Sequence, residues 1–204
     1  MVRVIVAVVL AACVQFGWGF TFYGVLGGME HTASRAPDEA AVTEALKGAL
    51  PESGTYFVPM CPGSHASEEA MRAHEERAAQ GPLVQINYRK EGFSMAQMPV
   101  VMGMGFGHTV LTVLLAAFLL RAALPSLATY GARVLFVLGL GVFAAVATRL
   151  GDLVWFHYHW AFPAGQIAFC VVAWLLAGVV MGAIIRPTHQ HALASKPYHS
   201  ASAA

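Results

Sequence analysis

Three groups of residues in this 204-residue chain have the types and spacing to do chemistry. The first is a run of thioethers ending on an imidazole: Met95, Met98, Met102, Met104 and His108. Thioether sulfur suits Cu(I), and imidazole can complete such a site. Methionine is also an adaptable packing residue, and Met102 and Met104, two positions apart, do not share a helix face. The second group is Cys61, His65 and His74. They could supply three metal donors, but Cys-x3-His followed by a further histidine is not a recognised zinc spacing. Exposed loop histidines beside a lone thiol are the commoner explanation.

The third group is polar residues inside apolar stretches: Gln15, His108, Arg149, Asp152 and Gln166. Ionisable groups at such positions are expensive and usually face a bundle interior. Arg149 and Asp152, three apart, can pair on one helix face. Counted at the helical rise, that pair lies within about 10 Å of one membrane boundary and His108 about 13 Å below it. Gln15 and Gln166 also fall in the outer half, and the five are expected to converge as an outer polar cluster. It would be either a ligand, quinone or proton site, or a self-satisfied network that fixes helix register. Haem would need facing histidines; His108 and His157 are off-level. His189, His191 and His199 form at most a loose metal-binding tract. No resident cofactor is expected, with copper and haem kept as alternatives.

The elements that must position these residues are four apolar stretches, roughly 4–26, 99–120, 134–156 and 162–185. Each is near the ~20 residues that cross a bilayer core. Composition agrees, with 57% hydrophobic and only 11% charged residues. An average soluble domain carries about 25% charged residues. The sequence thus predicts an α-helical membrane protein. It is a four-transmembrane-helix bundle with a small α/β extracytoplasmic insert between the first and second helices. Its parts are helix 1 (1–26), the insert (27–98), helices 2–4 (99–185) and a disordered cytoplasmic tail (186–204). Leu10-Ala11-Ala12-Cys13 resembles a lipoprotein cleavage signal, but the apolar run continues past it through Phe16, Trp18, Phe20 and Phe22, which favours an uncleaved anchor.

Basic residues in short flanks orient such a chain. Arg3, Arg121, Arg133, Arg186 and Lys196 all fall on one side if both termini are cytoplasmic. The insert, with ten acidic and six basic residues, then faces outward from a bacterial-type inner membrane. Trp155 to Trp160 reads as an interfacial aromatic belt. Within the insert, helices are expected from about Pro37 to Leu50 and from Ser67 to Gln80, with strands at 55–58 and 83–88 and a turn at 89–92. So small a unit is marginal alone and should lean on the membrane domain or on a partner. Its one cysteine, Cys61, rules out a disulfide framework there.

Small residues substitute for hydrophobic attraction between helices in lipid. Each span carries a stripe: Cys13, Gly17, Thr21 and Gly24; Gly103 and Gly107; Gly141, Ala145, Thr148 and Asp152; Gly178 and Gly182. These either close the chain's own bundle or dock partner helices. There is no nucleophile elbow, zincin or Walker motif, and no basic stripe for nucleic acid. The expected role is therefore a non-catalytic accessory or assembly subunit of a larger inner-membrane complex, an electron-transfer complex being a plausible host. A metal-, haem- or quinone-binding redox module is the alternative. A small transporter comes third, since no internal repeat marks two halves.

Overall fold

The computed structural model describes residues 1–187. The tail histidines and all but two residues of the tail lie outside the described residues. Helix α1 (Val2–Phe20) continues through a π-turn, Thr21–Val25, into the short α2 (Gly28–Thr32). The insert follows as α3 (Glu39–Ala49), β1 (Gly54–Val58), α4 (Glu68–Gln80) and β2 (Val84–Tyr88). Then come α5 (Met98–Ala123), α6 (Tyr130–Trp155) and α7 (Ala161–Ile184). Four helical segments are long and apolar enough to cross a membrane: Val2–Val25, Met95–Ser126, Tyr130–Trp155 and Ala161–Ile184.

Local chemistry sets these limits. Ser94 and Gln97 form a capping box on the 3-10 turn that leads into α5, and Pro99 occupies the first turn of α5, where an N–H is dispensable. The Thr129 hydroxyl accepts from the Ala132 N–H at the start of α6. In the insert, Asp38 and Ser67 cap α3 and α4 in the same way. With Asp38 as the cap, Pro37 precedes the helix instead of standing in its first turn.

In space the helices follow the order α5, α1, α7, α6. α6 packs along α7, α7 along α1, and α1 along α5, whereas α5 and α6 touch little. The buried core sits at the end opposite the insert. It joins Ala7, Val8, Ala11 and Ala12 to Val113, Ala116, Ala117 and Leu120, with Val137, Ala177, Met181 and Ile185 closing it. Nearer the insert, rings replace aliphatics: Phe16 meets Phe20 and Phe106 edge-on at 5.4 Å, and Trp18, Phe22 and Tyr23 gather around Phe169. Large apolar side chains also cover the outward faces, among them Leu135, Phe143 and Val154. Surface of this extent needs an apolar covering.

Two of the four small-residue stripes close the bundle. A Cβ on Gly178 would lie 2.9 Å from the Val134 carbonyl oxygen, and one on Gly182 3.2 Å from Val134 Cγ2. At Gly141 a Cβ would collide with the base of the Trp174 side chain. The other two stripes are left open. Gly17, Gly24, Gly103 and Gly107 have nothing within 4 Å of an added Cβ. The face of α1 that packs runs instead through Ala7, Val8, Ala11, Ala12 and Gln15, because small residues on the opposite side of the helix cannot reach the same neighbour.

The insert is a two-stranded antiparallel sheet, Gly54 facing Tyr88 and Val58 facing Val84, with α4 in the connection. The Ser53 hydroxyl ties its open end, donating to Glu91 at 2.9 Å and accepting from the Lys90 N–H at 3.0 Å. Neither α3 nor α4 contains a buried residue. The sheet rests on the bundle through Phe57, 6.0 Å from Phe156, in line with the expectation that it leans on the membrane domain. Residues 28–32, at the start of the insert, pack on α7, with Thr32 against Gly165.

Candidate functional site

The two amides of the expected outer cluster come together on the seam between α1 and α7. Gln15 and Gln166 are both buried. Gln15 Nε2 donates to the Ala173 carbonyl at 3.2 Å, and the Tyr23 hydroxyl donates to Gln166 Oε1 at 3.1 Å. Trp18 Nε1 adds a third link, donating to the Phe169 carbonyl at 3.1 Å. Three polar side chains of α1 and the π-turn that continues it thus stitch this segment to α7. Trp18 was read from the sequence only as apolar continuation, and Tyr23 was not singled out. Their spacing from Gln15, three and eight positions on, was the available signal.

The charged members do not join that seam. Arg149 Nη1 pairs with Asp152 Oδ2 at 3.1 Å on α6, as the spacing predicts, and both side chains remain partly exposed, at 38% and 26%. His108 is exposed on α5. The expected convergence of five groups is therefore corrected to three separate places. The reason is rotation about the helix axis. Depth follows from counting residues, but each step also turns the helix by about 100°. That turn carries His108 to the side opposite Val113, Ala116 and Leu120, the buried side of α5.

The outward side of α5 is unusual in composition. Met104, Leu111 and Leu115 flank His108 and are exposed. Gly103 and Gly107, whose open surroundings are described above, lie on its shoulder. An imidazole so placed lies about 15 Å from the helix start and has no partner among the described residues.

The metal candidates fare as follows. The methionine run divides between two faces: Met102 lines an apolar groove with Gln15, Phe16, Phe20, Tyr23 and Phe169, while Met104 and His108 point away from it. Met95 is exposed and Met98 half-buried at the start of α5. Cys61 and His74 line one cleft beneath the sheet, together with Met60, Gln85 and His157, but His65 does not reach it. Among the described residues no three His, Cys, Asp or Glu side chains stand where they could hold a metal ion. His74 Nδ1 and Gln85 Oε1 are buried in the cleft wall without a hydrogen-bond partner. His157, at the same cleft, carries a left-handed backbone (φ 55°) and belongs to a different part of the molecule from His108, so the two do not face each other as haem ligands would.

Comparison of the chain with protein-family models, with curated proteins and with solved structures yields no match.

Proposed function

We propose that this chain is a non-catalytic subunit of a larger membrane-protein assembly, and that a transmembrane helix of its partner covers the outward face of α5. The four long apolar helices lie in the membrane, with the insert and the aromatic belt on the outer side and the Arg-rich ends in the cytoplasm. The observation that carries the proposal is His108. Ionisable side chains at bilayer depth normally face protein or a water-filled cavity, yet His108 is exposed and has no partner among the described residues. Beside it lies the glycine pair Gly103 and Gly107, four apart and open, the spacing that lets a second helix approach closely. A partner helix would satisfy the imidazole and fill the space over the glycines at once.

The redox alternative gains less support, because Gln15 and Gln166 are already hydrogen-bonded and Arg149 is already paired. The test is gentle detergent extraction of the tagged chain from its native membrane, followed by mass spectrometry of the intact complex. A stoichiometric partner that is lost on Gly103→Leu and His108→Leu, while the chain itself stays folded, is expected. Recovery of monomer alone from the unaltered chain contradicts the proposal.

A further inference from the structure

A second site lies at the far end of the bundle, where the sequence offered only an orientation signal. The ends of α1, α5 and α7 enclose an open cavity of about 500 Å³ lined by Arg3, Arg121 and Arg186, with Val2, Pro125 and Ile185 among its apolar walls. Among the described residues Arg3 and Arg121 have neither hydrogen-bond nor ion-pair partner, and Arg186 donates only through Nε, to the Ala183 carbonyl at the end of α7. No carboxylate among the described residues pairs with them. Ten of the chain's eleven carboxylates lie between Glu30 and Glu91, and the last, Asp152, is near the insert end of α6. The fourth arginine of this end, Arg133, behaves differently. It is buried and spends its donors on the carbonyls of Gly182, Leu127 and Ala128, as a structural arginine does.

We infer that the Arg3–Arg121–Arg186 cavity binds the phosphodiester headgroup of an anionic glycerophospholipid. Guanidinium forks match phosphate oxygens, and basic pockets between helix ends at the membrane surface are suited to anionic lipid heads. Two features favour a lipid over a free anion. The cavity lies at the ends of the membrane-length helices, level with headgroups. From its wall at Val2, an exposed apolar ridge of Ile5, Val6 and Val9 runs down α1 and offers acyl chains a track. The inference is independent of the α5 interface, which lies nearer the other end of that helix.

The test is native mass spectrometry of the full chain released from mixed micelles holding equal phosphatidylglycerol and phosphatidylcholine. One phosphatidylglycerol per chain is expected to survive, with phosphatidylcholine largely absent. Each arginine near an anionic surface contributes on the order of fivefold in affinity. The triple variant Arg3→Gln, Arg121→Gln, Arg186→Gln should therefore lose the adduct by at least about tenfold. A charge-matched control, Arg72→Gln, Arg77→Gln, Arg89→Gln in the insert, should keep it. Circular dichroism confirms that both variants fold; should the first variant fail to fold, the three single substitutions are read in its place. Equal retention of the two lipids, or equal loss in variant and control, overturns the inference. So does full displacement of the lipid by inorganic phosphate, which would assign the cavity to the free anion.

Discussion

Substituting Gly178 by alanine tests the packing of this bundle directly. The added Cβ would stand 2.9 Å from the Val134 carbonyl oxygen and 3.5 Å from Val134 Cα. Both neighbours are backbone, so no side chain can swing aside, and α6 and α7 must separate by a few tenths of an ångström. Dispersion along a helix seam falls off over that range, with a gap of about 0.5 Å forfeiting roughly a quarter of each contact. Overpacking of this kind costs about 1–3 kcal/mol, and the backbone collision argues for the middle of the range. At Gly182 the closest atom is Val134 Cγ2, at 3.2 Å, which a small rotation relieves. Its alanine variant should lose under ~1 kcal/mol. At Gly103 nothing is near, and alanine should leave the isolated chain unchanged or slightly more stable through helix propensity. The assay is thermal or denaturant unfolding of the purified chain in one mild detergent, followed by tryptophan fluorescence. The expected order of stability is Gly103→Ala, then Gly182→Ala, then Gly178→Ala. A Gly178→Ala protein as stable as Gly103→Ala would refute the helix arrangement, since it would mean that α6 and α7 do not meet there.

Arg133→Met should lower stability by on the order of 3 kcal/mol in the same assay, because three carbonyls lose a charged donor; a neutral result would remove Arg133 from the interior. Gln15→Leu should cost about 0.5–1.5 kcal/mol by freeing the Ala173 carbonyl, and a stabilised variant would contradict the polar seam. In the insert, the backbone N–H of Glu91 and then the Ser53 hydroxyl hold the Glu91 carboxyl below its ordinary value. A lowered folded-state value means that this clasp contributes above the ordinary carboxylate range and is lost as pH falls through the lowered value. Ser53→Ala should raise the Glu91 titration toward the ordinary value in a carboxyl-detected NMR titration; an unmoved midpoint would dismiss the contact.

What the sequence made legible was everything that depends on counting along the chain. Span limits came within four residues, except the end of the second span, which was expected at 120 and runs on to Ser126; apolar length and Pro99 mark them. The insert elements followed from Asp38, Ser67 and the β-prone Thr55–Val58. The ion pair Arg149–Asp152 followed from i,i+3 spacing. What stayed hidden was direction around each helix axis. In a soluble helix a polar side reveals the outward face, but in α5 and α6 both sides are apolar, so the pattern carries little phase information. His108 was therefore assigned inward on cost alone, and the stripe Cys13–Gly17–Gly24 was given a packing role that Ala7, Ala11 and Gln15 perform. The arginine cavity was invisible for another reason. Arg3, Arg121 and Arg186 are 118 and 65 positions apart in sequence, and only the closing of three helix ends brings them together.

The covered face of α5 is the central claim, and cross-linking inside the native membrane tests it most directly. A photoreactive p-benzoylphenylalanine at Met104 should give one protein adduct of defined mass, while the same group at the exposed Phe143 of α6 should label lipid. Lipid adducts alone at both positions would contradict the account.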